Sequence, residues 1–377
     1  MTAFAAPTTE TAVTEAVRAA NSQNTAVQII AGGTRGRIGS LRSGYECLDV
    51  SGVAGITRYE PGALTLEAKA GTPIVQIEAA LDAENQMLAF EPMDHRTLLG
   101  TSGTPTIGGV VAANVSGPRR IQVGACRDSL LGARFVDGAG RILKNGGRVM
   151  KNVTGYDLVK LMAGSWGTLG VLSEVSLKVQ AIPEAQATLL GQGLNIETAV
   201  QAMSAALGSP YDLTGAAFKS AGGEAMVRVE GLTESVAYRV QRMQSEMCKG
   251  WRVVEGSDSA ALWQDVRDVV PFAGREGAVW RLSVKPSDAP ALLEDLGHPD
   301  AICDWGGGLV WVLVDHAKDV RQVMTKRGGH ATLVRANTSA RSTVPVFHPD
   351  PAPIAAITKG LRAKFDPRGI LNPGLMG

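Results

Sequence analysis

Ala26-Val27-Gln28-Ile29-Ile30-Ala31-Gly32-Gly33-Thr34-Arg35-Gly36-Arg37 is the stretch on which the reading of this chain turns. Its first five residues are apolar enough for a short strand, which runs straight into a glycine-rich loop. With no Cβ atoms in the way, successive backbone N–H groups of such a loop converge into a nest for a pyrophosphate. Thr34 adds a hydroxyl and Arg35 a positive charge. By itself the pattern suits an ordinary strand-to-loop turn equally well. No Gly-Lys-Ser/Thr follows, so it is not a Walker loop, and no GxGxxG opens a dinucleotide-binding unit.

The chain around it has 377 residues, enough for two or three structural units. A 45% hydrophobic content suits a globular protein with a sizeable core, and a formal charge of +1 leaves no footprint for nucleic acid or an anionic membrane. The 45 glycines are well above the usual share of about 7%, and most fall in short loops between apolar segments. Cys47, Cys126, Cys248 and Cys303 are far apart, with no spacing for zinc or an iron–sulfur cluster. They read as reduced, mostly buried thiols of a cytoplasmic protein. The N-terminus reads as a short tail leading into an amphipathic helix at Thr11–Ala20, not as a signal peptide. No run of 18 apolar residues occurs, so contact with the inner membrane is expected only through partners.

Up to residue 97 short strands alternate with helices: Glu46–Asp49 and Leu64–Lys69 are strands. Thr72-Pro73 reads as the cap and first position of a helix carrying Ile74, Ile77 and Leu81. From 98 to 183 the texture becomes glycine-punctuated strands at Gly108–Asn114, Leu130–Asp137, Arg141–Leu143 and Val171–Val179, with a hairpin turn at Asp137-Gly138-Ala139-Gly140. Beyond Pro183 the order of elements is βαββαβ, a linking helix, and βαββαβ again, which builds two ferredoxin-like halves.

Two more glycine-rich stretches repeat the theme of the first. One is Gly100 to Asn114, with Gly103, Thr104, Gly108, Gly109 and Ala112. The other is Gly155-Tyr156-Asp157-Leu158 followed by Gly164-Ser165-Trp166-Gly167-Thr168-Leu169-Gly170-Val171. Three such loops on one αβ unit point to a long, extended nucleotide. In this order, and together with Phe365-Asp366-Pro367 and Leu371-Asn372-Pro373-Gly374, they resemble the PCMH-type FAD-binding domain of the vanillyl-alcohol oxidase family. The resemblance implies an α+β protein with an FAD-binding domain of two αβ subdomains (about 1–97 and 98–183), a cap domain at 184–345 and a segment at 346–377 returning to the FAD-binding domain. It implies FAD held by Gly32, Gly33, Thr34, Arg35, Gly36, Arg37, Gly103, Thr104, Gly108, Gly109, Ala112, Gly167, Thr168, Gly170, Val171 and Asn372. No cysteine or histidine stands in an FAD-linking context, so the flavin is expected to be non-covalent.

Gly117-Pro118-Arg119-Arg120, Arg127-Asp128, Val149-Met150-Lys151-Asn152-Val153 and Gly329-His330-Ala331-Thr332-Leu333-Val334-Arg335 extend the resemblance over nearly the whole chain, to the E-subunit family of glycolate oxidases. That implies a complex with a larger flavin-binding D-type subunit and an iron–sulfur F-type subunit, oxidising a small 2-hydroxy acid and passing electrons toward quinone. The alternatives are a self-sufficient FAD-dependent alcohol or sugar-lactone oxidase, and a structural subunit with a vestigial flavin site. The histidines His298, His316, His330 and His348 are scattered, so no metal is assigned, and no residue is singled out as catalytic. Arg119 and Arg120, whose guanidinium groups suit a carboxylate or a phosphate, and His330 and Arg335, flanking an alternating strand, are the substrate candidates.

Overall fold

The computed structural model describes residues 3–36, 38, 44–149 and 155–376. The first sheet joins β1 (Ala3–Ala5), β2 (Val27–Ile30) and β3 (Glu46–Asp49) in the order β1-β3-β2, all parallel. The helix Glu10–Gln23 packs on it through Val13, Val17 and Ala20, and Thr9 caps it by accepting from the Ala12 N–H. Ile370 and Leu371, from the far end of the chain, sit in the same core, and Leu371 pairs in parallel with Val27.

The second sheet is built from β4 (Ile56–Glu60), β5 (Thr65–Lys69), β7 (Leu130–Val136), β8 (Ile142–Gly146) and β9 (Val171–Lys178), in the order β4-β5-β9-β7-β8 and antiparallel throughout. A small ribbon of β6 (Gln86–Met87) and β10 (Gln180–Ala181) stands beside it. The β7–β8 hairpin turns through Asp137 to Gly140, as expected. Two local expectations fail. Gly108–Asn114 is not a strand: residues Ile107–Ala112 form a helix capped by the Thr106 hydroxyl, which accepts from the Gly109 N–H at 3.3 Å, and the Gly108 N–H bonds the Ala70 carbonyl at 2.7 Å. The β-branched Val110 and Val111 favour a strand locally, but the cap and this tertiary anchor win. Thr72 does not cap the helix Ile74–Asp82, because its hydroxyl bonds the Gly55 and Lys69 carbonyls.

Strands β11 (Ala185–Gly191), β12 (Gly215–Lys219), β13 (Glu224–Gly231), β14 (Arg252–Glu255), β15 (Ala278–Ser283), β16 (Asp300–Asp304), β17 (Leu309–Val314) and β18 (His330–Arg335) form one antiparallel sheet. Its order, β14-β11-β13-β12-β16-β17-β15-β18, is two ferredoxin-like halves fused edge to edge through β12 and β16. Period-two alternation separates its faces. Val227, Trp280, Leu282, Val310 and Val312 face the sheet's own helices, whereas Met226, Val279, Ile302, Leu309 and Trp311 pack into the core of the first half of the chain.

Charge fixes the contact between these parts. Arg228 on β13 grips Glu91 with both terminal nitrogens, at 2.9 and 3.0 Å. Arg119 bonds Glu230 at 2.6 Å, and the Arg119 N–H donates to Glu91 at 2.7 Å. Two cations and two anions therefore neutralise one another almost out of water. Burial alone would raise the Glu91 carboxyl, but Arg228 and Arg119 outweigh it and hold it below its ordinary range.

Breaking this quartet leaves a buried charge uncompensated. Arg228→Met is expected to lower unfolding stability by about 3–5 kcal/mol in urea denaturation at neutral pH. The stabilisation from Glu91 is complete above the ordinary glutamate range and is lost as pH falls through its depressed value. Wild-type stability therefore drops on the acid side, and Glu91→Gln, already weakened at pH 7, shows a shallower acid slope.

Candidate functional site

A cleft of about 960 Å³, open at its mouth, lies between the first two sheets. Its floor is β2 and the loop that follows, from Gln28 to Gly36 with Ile38. One wall is the helix Ile107–Ala112 with Thr106, and the other is the turn at Trp166, Gly167 and Gly170, closed by Asn372 and Leu375. Ile29, Ile30, Val50, Ala70, Ala113 and Leu172 supply apolar surface. The sequence reading passed over these apolar residues because nothing in a strand pattern says which of its side chains meet a ligand.

Of the expected cofactor residues, Gly32, Gly33, Thr34, Arg35, Gly36, Gly108, Gly109, Ala112, Gly167, Gly170 and Asn372 line this one cleft. Gly103 and Thr104 stand behind it: a Cβ on Gly32 would lie 1.5 Å from the Thr104 carbonyl oxygen, and one on Gly103 equally close to the Gly32 oxygen. The two loops are thus pressed backbone to backbone, and only glycine permits it. Thr168 is buried, its hydroxyl donating to the Ser165 carbonyl at 2.7 Å, and Val171 is in the core. Arg37 lies outside the described residues, as do Met150 to Thr154 of the motif around Lys151.

Asn372 is what joins the ends of the chain at this site. Its Oδ1 accepts from the Ile29 N–H and its Nδ2 donates to the Trp166 carbonyl, both at 2.8 Å. Gly167 has φ +72°, and a Cβ there would press on Asn372 Nδ2 at 2.8 Å, so strain and crowding both exclude larger residues. Trp166 stacks edge-on against Phe347 with ring centroids 5.3 Å apart.

The polar groups facing the cleft are left wanting an anion. The backbone N–H groups of Gly33, Thr34 and Arg35 have no acceptor among the described residues. Arg35 Nε is buried with no partner, and burial lowers this guanidinium to about 10, still charged at neutral pH. Unpaired amides beside an uncompensated cation fit a diphosphate, and the long apolar walls fit the rest of an FAD. Next to Arg35, His95 is buried and, through burial and the Arg35 charge, held well below its ordinary value, so its ring is neutral.

The four substrate candidates part company. Arg119 is engaged in the ion quartet. Arg335 donates to the Leu98, Phe272 and Arg275 carbonyls and so ties β18 to neighbouring loops. Arg120 lies over the Trp305 ring at 4.2 Å, and His330 is at the start of β18. Asp157 caps the helix Leu158–Met162, and Tyr156 beside it is 89% exposed. Among the described residues no group of His, Cys, Asp and Glu is arranged to hold a metal. No helix of the described residues is long and apolar enough to cross a membrane.

The family model described as FAD binding domain matches residues 1–146. The chain is 36% identical to the glycolate oxidase subunit GlcE of Escherichia coli K12 over 370 residues, covering 97% of this chain and 96% of that protein. It is 41% identical over 99 residues to the glycolate oxidase subunit GlcD of Bacillus subtilis, covering 26% of this chain and 21% of that one. The solved structure of an alkyldihydroxyacetonephosphate synthase superposes over 97% of this chain and 76% of its own, with a TM-score of 0.67 at 15% identity, which shows a shared fold.

Gly32→Ala is expected to force the Gly32 and Gly103 loops apart. It should lower the thermal midpoint by several degrees, whereas Asn372→Ala, which loses two part-buried hydrogen bonds, should cost roughly 1–3 kcal/mol by denaturant titration.

Proposed function

The chain belongs to the E-subunit family of glycolate oxidases, and from that premise we propose that it is the FAD-carrying subunit of a multisubunit 2-hydroxyacid oxidase that converts glycolate to glyoxylate. In this reading residues 1–183 and 346–377 form the flavin-binding unit and 184–345 its cap. The flavin is bound without a covalent link. A D-type flavin subunit and an iron–sulfur F-type subunit take the electrons onward to quinone, in the cytoplasm and at the inner membrane only through those partners.

One observation carries the reading: the unsatisfied amides of Gly33, Thr34 and Arg35 and the unpartnered Arg35 Nε lie together in the floor of a cleft with apolar walls. Bound FAD would supply a two-electron acceptor for the hydride that the hydroxyl-bearing carbon gives up. The residues of the chain do the holding. Arg35 and the loop amides pair with the diphosphate, Thr106 and the helix behind it form one wall, and Asn372 keeps the Ile29 and Trp166 segments at a fixed separation. Neutral His95 adds no second positive charge beside Arg35.

The folded full-length chain is expected to carry or take up one FAD, read from its visible absorbance and released by denaturation. Arg35→Met should weaken FAD binding about 10- to 100-fold, the worth of a charge-assisted hydrogen bond, with unchanged circular dichroism. A well-folded chain that takes up no flavin would end this reading. Native co-purification with flavin counted per complex tests the partners.

A further inference from the structure

Most arginines at the contact between the two halves of the molecule are answered by a carboxylate or by carbonyls: Arg119, Arg228, Arg267 and Arg335 all have such partners. Two are not. Arg281, on β15, alternates with Trp280 and Leu282, which face the cap helices, so it projects from the opposite face, toward the flavin-binding unit. Its guanidinium lies 5.3 Å from the centroid of the Trp305 ring. Arg120, from the turn after Pro118, lies over the same ring at 4.2 Å. Neither guanidinium makes a hydrogen bond or an ion pair among the described residues.

Two half-buried cations beside one aromatic ring repel each other unless something neutralises them. Burial and the nearness of Arg120 lower Arg281 to about 10. Asp128 acts on Arg120 at electrostatic range only, and the acid near Arg281, Asp304, does not pair with it either. Its Oδ1 accepts from the Trp305 N–H at 2.7 Å, and burial raises its carboxyl to about 7, so it carries only part of a charge near neutrality. His330, paired across from Ser283 on the strand beside Arg281, is held below its ordinary value by burial and by Arg281, His348 and Arg120. The cluster adjoins the flavin cleft. His95 feels both Arg35 and Arg281, and Phe347, next to His348, packs on Trp166 of the cleft wall.

We propose that Arg281 and Arg120, set against Trp305, form the receptor for the carboxylate of a small 2-hydroxy acid, with His330 at its rim. Guanidinium groups match a carboxylate in geometry and charge, and the indole ring keeps water from one side of the pair. The inference rests on the functional reading above for the identity of the acid, not for the existence of the anion site. Arg281 is thereby a binding residue kept at the expense of stability, which a structural role would not predict.

The test is calorimetric titration of the full-length chain, with and without FAD, using oxamate, a glycolate-sized monocarboxylate with no hydride to lose. Glycolamide serves as the uncharged control. The wild-type chain is expected to bind oxamate and not glycolamide. Arg281→Met should weaken oxamate binding by about 30-fold or more, Arg120→Met by about 10-fold, and Arg281→Lys should fall between the wild type and Arg281→Met. FAD uptake stays at one per chain, and the thermal midpoint of Arg281→Met is equal to or above that of the wild type. Oxamate binding unaffected by both substitutions, equal binding of glycolamide, absence of oxamate binding to the wild-type chain, or loss of FAD in Arg281→Met would overturn the proposal. FAD uptake is read separately, so a flavin-loaded chain that ignores oxamate defeats the anion receptor and leaves the flavin reading standing.

Discussion

The buried quartet of Glu91, Arg119, Arg228 and Glu230 is the constraint on which the rest of the molecule depends. Two members come from loops of the first half of the chain and two from alternate positions on β13, so the eight-stranded sheet can meet the first half of the chain in one register only. Apolar packing of Met226, Ile302 and Trp311 supplies area at this contact but tolerates sliding. A misplaced buried charge does not, because each ion left without its partner is penalised by its lost hydration. The same registration sets Arg281 and Trp305 opposite Arg120 and Gly117, whose carbonyl accepts from Trp305 Nε1 at 3.0 Å.

A second constraint acts inside the flavin-binding unit. The Gly32 and Gly103 loops touch backbone to backbone, which brings the nest that follows β2 beside the helix at Ile107. Asn372 then ties β2 to the Trp166 turn from the opposite end of the chain. Segments distant in sequence are thereby held around one cleft, with the free amides of Gly33, Thr34 and Arg35 turned inward. Held apart in this way, the walls need little reorganisation to accept a ligand.

Charge is distributed unevenly across this architecture, and the unevenness is informative. Where arginines join the parts of the structure, they are matched by Glu91, Glu230 or Asp268. Arg35 in the cleft and Arg281 and Arg120 beside Trp305 have no such match. Unmatched cations at two adjoining places are what the proposed diphosphate and carboxylate sites require.

The amino-acid sequence by itself determined the class of the fold, the two βαββαβ runs and the glycine loops that line the cleft, because these are local matters of periodicity and of residues without a Cβ. It also pointed to Asn372. It misjudged Gly108–Asn114, where local preference for a strand yields to the Thr106 cap and the Ala70 carbonyl, and it misplaced the Thr72 hydroxyl for the same reason. Only the tertiary structure decided which arginines are free. Arg119 and Arg120 are neighbours in sequence with the same chemistry, yet one is enclosed by Glu91 and Glu230 and the other lies on Trp305 without a counter-ion. Arg281, in a strand that reads as plain apolar alternation, carried no signal at all. Arg119 is answered by residues 28 and 111 positions away, and Coulomb partners at such separations leave no trace in local pattern.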